Sequence, residues 1–289
     1  MSVIRRDVLA AAPTMFTREG ELDLRGTENV FASIADSGVT GAFIIGTSGE
    51  FVALSAEERI EVTRVGVKVF AGRDLIVHVG AASGFQTIDL ISRSMDLGVT
   101  SFAVLTPYYF PASASATLDF YRRVCRPAGG MRVFAYLFEA RTGTAVNPRL
   151  LAEIAEIPEI VGAKVSGQPL SALAAYRVAV PDDFLLFTGA DRDLAAISGY
   201  GVQGVVSGVA SAFPEPFTQM TCALESGNPD DIASAQTAID AVVGLLQDPA
   251  CVKAALRLRG VHAGYSRMPF DEPSPERVAA IESAVELYG

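Results

Sequence analysis

Arg132-Val133-Phe134-Ala135-Tyr136 and Ile160-Val161-Gly162-Ala163-Lys164 are two short apolar runs, and the stretch between them, 148–155, has the apolar spacing of a helix. Each run is apolar at successive rather than alternate positions. A strand of that kind is buried on both faces, as parallel strands covered by helices must be. Strand, helix, strand is therefore the reading for 132–164, and the same alternation extends in both directions. Before it come strands at 8–12 (running on to 16), 41–45, 75–79 and 101–105, with helices at 23–36, after Ser55, at 87–97 and at 116–124. Ser55 and Glu58 form a capping box at the second helix. After it come a helix at 170–178, a strand at 184–187, a short helix at 193–198, a strand at 204–206 and a helix at 215–225. Eight such units of about 25 residues point to an α/β fold, a (β/α)8 barrel. Residues 232–246, 251–259 and 275–287 read as added helices. The expected organisation is a barrel over 1–226 and a C-terminal helical appendix over 227–289, packed together as one unit.

The competing architecture is a doubly wound sheet. Gly199-Tyr200-Gly201-Val202-Gln203-Gly204 matches the dinucleotide fingerprint letter for letter. That fingerprint needs strand, glycines, helix. Here a helix precedes and a strand follows, so the glycines read as a helix stop and a loop.

The chain has 289 residues, half of them hydrophobic, and a formal net charge of −10. Such a balance argues against nucleic acid and against anionic membrane surfaces as partners. Asp7 interrupts the apolar start and 8–12 is too short for a signal-peptide core, so a cytoplasmic protein is expected. Three cysteines at long spacings, Cys125, Cys222 and Cys251, fit neither a disulfide framework nor a zinc motif. No His, Asp or Glu spacing resembles a metal site, and no cofactor is expected. His78 falls within a strand and His262 in the appendix, and both read as structural.

Lysine is scarce: Lys68, Lys164 and Lys253 stand against twenty arginines. Lys68 and Lys253 lie in helices and read as solvated charges. Lys164 ends an apolar strand. A buried ammonium is expensive to desolvate, and an amine freed of its proton is a nucleophile toward carbonyl carbon. In a (β/α)8 barrel the site lies at the C-terminal strand ends. The second strand delivers Gly46-Thr47-Ser48-Gly49-Glu50, and the fourth Thr106-Pro107-Tyr108-Tyr109. The fifth delivers Tyr136, then Glu139 and Arg141. The sixth delivers Lys164 and Ser166, the seventh Gly189-Ala190-Asp191, and the eighth Val206 and Ser207. A lysine amine can condense with the ketone of a 2-oxo acid, a tyrosine can relay protons, and a hydroxyl-rich turn can hold a carboxylate. Each residue also has a plainer use: Asp191 as a helix N-cap, Arg141 in a surface ion pair, Tyr108 in packing, Lys164 paired with Glu139.

Taken together and in this order, those segments, with Tyr136 five residues before Arg141-Thr142-Gly143, resemble the dihydrodipicolinate synthase / N-acetylneuraminate lyase (DapA-type) family of class I aldolases. The resemblance implies Lys164 as the Schiff-base lysine and Tyr136 as the proton shuttle. It implies Thr47 and Tyr109 as its relay partners, Tyr109 reaching a neighbouring subunit. Thr47 with Ser48 matches the carboxylate-binding turn, Arg141 the arginine for the second substrate's carboxylate, and Val206 a lining carbonyl. Glu139, Ser166 and Asp191 are placed to choose the second substrate. A dimer or a tetramer is implied.

The chain departs from its relatives where they carry Asn, an aliphatic residue and Pro after the tyrosine; here it has Leu137-Phe138-Glu139. Val165 follows the lysine where the synthases usually carry an acidic residue. Ala56, Arg59, Ser83 and Thr87 replace the polar set of a lysine-feedback pocket. The sialic-acid lyases carry an acidic pair where Asp191 is followed by Arg192, and a serine where Gly208 stands. The expected function is a lyase acting on pyruvate or another 2-oxo acid with a small aldehyde or deoxy sugar acid. Alternatives are 4-hydroxy-tetrahydrodipicolinate synthase itself, a keto-deoxy sugar diacid dehydratase/decarboxylase, and a non-catalytic 2-oxo-acid-binding protein.

Overall fold

A computed structural model describes residues 6–289. Eight strands, β1 (Asp7–Ala12), β2 (Gly41–Ile44), β3 (Asp74–His78), β4 (Ser101–Leu105), β5 (Arg132–Leu137), β6 (Ile160–Val165), β7 (Leu185–Thr188) and β8 (Gly204–Ser207), are hydrogen-bonded in chain order into a closed barrel. The strands are short and, as their sequences require, buried almost throughout. The helices are α1 (Leu24–Asp36), α2 (Ala56–Val69), α3 (Gly84–Met95), α4 (Ala114–Cys125), the single turn α5 (Glu139–Thr142), α6 (Pro148–Ala155), α7 (Leu170–Ala179), α8 (Pro214–Ser226), α9 (Pro229–Leu245), α10 (Pro249–Leu258) and α11 (Pro275–Tyr288). Their starts obey local chemistry. Asp23 caps α1, Ser83 caps α3 and Asn147 caps α6, each accepting a backbone N–H. At α2 the capping box is complete: Ser55 Oγ accepts from the Glu58 N–H at 3.1 Å and Glu58 accepts from the Ser55 N–H at 2.8 Å.

One expected helix is absent. After β7 the chain makes two 3-10 turns, Asp191–Asp193 and Ile197–Tyr200, instead of an α-helix over 193–198. Gly199 and Gly201 fall in a stretch too short for two α-helical turns. Gly201, at φ 66°, ends the second 3-10 turn and leads toward β8. This is the loop use of the glycine-rich segment.

The chain condenses into two compact bodies. One holds residues 76–205; the other holds 7–75 with 206–289. In the first, Phe134 meets Phe187 edge-on at 5.9 Å and the buried Tyr121 donates to the Val104 carbonyl at 3.0 Å. In the second, Phe31, Phe43, Phe213 and Phe217 are fully buried, α9 packs along α8, and α11 covers both α9 and α10. Among the described residues no helix is long and apolar enough to cross a membrane. All three cysteines are free thiols, and burial lifts that of Cys125 to about 12.

Lys68 is a solvated charge as expected, paired with Glu28 at 2.6 Å on the surface. Lys253 is not. It is wholly buried in α10, where its ammonium meets Glu50 at 2.5 Å. Its helix neighbours, Cys251, Val252, Ala254, Ala255 and Leu256, are all buried, so the helix leaves it no solvent-facing side.

Candidate active site

In the body of residues 76–205, strand register brings the two central side chains together. Tyr136 on β5 pairs with Lys164 on β6, and Leu105 on β4 pairs with Tyr136. Paired residues of parallel strands point to one face, so Tyr136 and Lys164 emerge side by side. Lys164 is 5% exposed and Tyr136 1%. The Lys164 Nζ lies 4.3 Å from the centre of the Tyr136 ring. An amine held against an aromatic face among apolar strands is kept from bulk water and aimed at one place.

The Tyr136 ring is fixed from two further sides. Phe138 stacks on it at 6.2 Å, and His78 meets it edge-on at 5.8 Å. His78 was expected to be structural, and its contact with this ring had no sequence signal of its own. The register supplies one. His78 pairs with Ala103, and Ala103 with Phe134, two residues below Tyr136 and on the same face. His78 is thus one layer beneath the tyrosine. Gly80 makes room for it, since a β-carbon there would stand 2.7 Å from the His78 Nε2.

Ser166, buried two residues beyond Lys164, lies against Gly189, where any β-carbon would collide with its hydroxyl. Asp191 opens the first 3-10 turn rather than capping a helix. Glu139 and Arg141 sit on the exposed turn α5. Glu139 faces Gln168, whose amide approaches at 3.4 Å, and the Arg141 guanidinium lies 5.9 Å over the Phe138 ring. Tyr109 stands apart from the buried pair: it is 83% exposed, edge-on to Phe110 at 4.9 Å, with φ 76°.

In the body of residues 7–75 and 206–289, the turn after β2 carries Thr47 and Ser48, both half-buried. The Glu50 N–H donates to the Thr47 carbonyl at 3.1 Å and the Phe51 N–H to that of Gly46 at 3.3 Å. Val206 is buried in β8. Two residues on, Gly208 lies against Ser48, and a β-carbon there would be 2.9 Å from the Ser48 hydroxyl. A serine at 208 would need the Ser48 hydroxyl to turn aside.

Among the described residues, the non-glycine positions with positive φ are Ile45 (59°), Glu50 (52°) and Tyr109 (76°). All three follow the ends of barrel strands. Such conformations cost about 1–3 kcal/mol each and persist where surrounding contacts impose them, which is the usual situation at functional sites. Lys253 and Glu50 belong to this picture. Glu50 Oε1 accepts from Lys253 at 2.5 Å, and Oε2 accepts from the backbone N–H groups of Arg267 at 2.9 Å and Met268 at 2.6 Å. Burial pushes the Lys253 ammonium down to about 8, against the opposing pull of Glu50. Lys253 is fully enclosed and so cannot meet a substrate; of the two buried lysines only Lys164 ends a barrel strand.

A barrel whose strand ends present a buried lysine against a tyrosine has the parts that chemistry through a lysine imine needs. The match to a family model agrees: residues 5–287 fit it, and the chain belongs to the dihydrodipicolinate synthetase family, a family of Schiff-base pyruvate aldolases. It is 32% identical over 286 residues to a DapA-like lyase of Halobacterium salinarum, itself uncharacterised, covering 98% of this chain and 93% of that one. It is 28% identical over 285 residues to the 4-hydroxy-tetrahydrodipicolinate synthase of an Exiguobacterium species, covering 97% of each. Among solved structures, the N-acetylneuraminate lyase of Mycoplasma synoviae superposes with a TM-score of 0.88 at 25% identity, over 98% of this chain and 97% of that one.

Proposed function

We propose that the chain makes or breaks a carbon–carbon bond next to the ketone of pyruvate or a related 2-oxo acid, through an imine at Lys164. The observation that carries this is the Lys164 amine, buried at the end of β6 and held 4.3 Å over the ring of its register partner Tyr136. The amine attacks the ketone carbon, and the resulting carbinolamine loses water as Tyr136 passes a proton to the departing oxygen. Loss of a proton from the adjacent carbon gives an enamine. The enamine attacks an aldehyde, or in the reverse direction forms as the aldehyde leaves, and water then frees the lysine. Thr47 and Tyr109 complete the proton relay. Thr47 with Ser48 takes the carboxylate, with the Val206 carbonyl lining the site.

The partner molecule is a small aldehyde or a deoxy sugar acid, chosen by Arg141, Glu139, Ser166 and Asp191. Ser83 and Thr87, where a lysine-feedback pocket would need larger polar groups, are engaged locally: Ser83 caps α3, and the Thr87 hydroxyl donates to the Ser83 carbonyl at 3.0 Å. That favours a catabolic or side-pathway lyase over the feedback-regulated synthase. The exposed rings of Tyr109 and Phe110 favour a dimer or tetramer in which a second copy covers them. Three free cysteines suit a reducing cytoplasm.

Pyruvate release from a set of 2-keto-3-deoxy acids, run beside condensation of pyruvate with aspartate semialdehyde, tests this reading. Pyruvate release from one or more sugar acids, with weak condensation, is expected. Efficient condensation alone would make the chain a synthase, carbon dioxide release from a diacid would make it a decarboxylating dehydratase, and no turnover despite an imine would make it a binding protein.

A further inference from the structure

The turn that carries Thr47 and Ser48 ends in Glu50, and the three hydrogen bonds to that carboxylate have no role in the chemistry above. Glu50 is fully buried with a left-handed backbone, and the residues that satisfy its carboxylate come from the C-terminal segment: Lys253 of α10 on one oxygen, the N–H groups of Arg267 and Met268 on the other. Lys253 also donates to the Tyr265 carbonyl at 2.8 Å. Arg267 closes the far side of the same loop, with 2.7 Å to the Ala53 carbonyl and a two-pronged grip on Glu58 at 2.8 and 2.7 Å.

A fully buried ion pair is a poor source of stability, since apolar residues of the same volume usually serve as well. What it adds is direction. Charged hydrogen bonds hold distance and angle where apolar packing tolerates sliding. Here they hold a turn whose first and last residues, Ile45 and Glu50, both sit in conformations that side chains disfavour.

We propose that Glu50 and Lys253 are positioning residues for the 2-oxo acid: their ion pair sets the Gly46–Gly49 turn so that Thr47 and Ser48 meet the substrate carboxylate. This rests on the imine chemistry at Lys164. The helical appendix then has a task in substrate binding, because it supplies the cation that aims the turn.

The test uses the full chain and three variants: Glu50→Gln, Lys253→Met and the double substitution. Imines are trapped with borohydride and the mass added at Lys164 is read against the concentration of two ketones. Pyruvate carries a carboxylate; hydroxyacetone does not. Each variant is expected to need about 10- to 100-fold more pyruvate for half-maximal trapping, the cost of a misplaced binding group. Trapping of hydroxyacetone should match the wild type. The double variant leaves no uncompensated buried charge, so it carries the test where a single variant is too unstable to purify. It should recover thermal stability without recovering pyruvate affinity. Unchanged pyruvate half-saturation in the variants, or equal loss with both ketones, overturns the positioning role. Failure of the wild type to trap either ketone would instead overturn the imine reading itself.

Discussion

Replacing Lys164 by methionine is expected to lower turnover by on the order of 10⁴-fold or more while leaving the fold intact. Loss of a covalent nucleophile removes the whole reaction path, and effects of that size or larger follow when one is deleted. Stability should change little by comparison. Lys164 is an amine among apolar strands, with its nitrogen against an aromatic ring. Methionine fills a similar volume, so the unfolding midpoint should move little. Steady-state rates and a thermal melt on the same preparation check both halves. A lysine kept for structural reasons would give the reverse pattern, with activity retained in a chain that melts earlier. The same substitution at Lys253 offers the contrast. There Glu50 is left buried without its cation, and the melt should fall.

The second large effect belongs to Tyr136. Phenylalanine at this position deletes one oxygen and keeps the ring, so the stacking on Phe138 and the edge contact with His78 survive. The expected fall in kcat is about 100- to 10,000-fold, the range for a positioned proton donor or acceptor. Because the amine of Lys164 is untouched, slow imine formation should persist and be visible by trapping with borohydride. The loss should therefore appear in kcat far more than in the amount of trapped adduct at long times. Equal and complete loss of both would mean that the tyrosine builds the pocket rather than moving protons.

The barrel was legible because its strands are short, apolar on both faces and separated by capped helices. Ser55 with Glu58 reads the same in sequence and in space. Lys164 was legible as a charge at the end of an apolar run. The same signal was present at Lys253, since Cys251-Val252-Lys253-Ala254-Ala255-Leu256 is as apolar as the strand of Lys164. Helical periodicity hid it, because a helix ordinarily turns one lysine toward water, and this one has no such side. His78 needed strand register, which fixes the layer a residue occupies and follows from pairing across chain segments far apart in sequence. The turn after β7 failed as a helix because three glycines within 189–201 favour other conformations. Tyr109 has no buried environment in a single chain, so the relay role proposed for it requires a second copy to cover it.

Two of the departures from the family pattern, Glu139 and Val165, fall at or just after the ends of β5 and β6. Glu139 and Gln168 face one another across the loops that follow β5 and β6, and Ser166 is pressed against Gly189 at the end of β7. Lys164 and Tyr136, the residues proposed for the imine step, keep the pattern of the resemblance.

Reduction of the wild-type protein with borohydride in the presence of pyruvate, followed by peptide mass mapping, is the most direct measurement of the chemistry assigned to Lys164. The result expected is a pyruvate-derived mass on the peptide containing Lys164, absent from the Lys164→Met variant and absent without pyruvate. No adduct, or an adduct on any other residue, would contradict it.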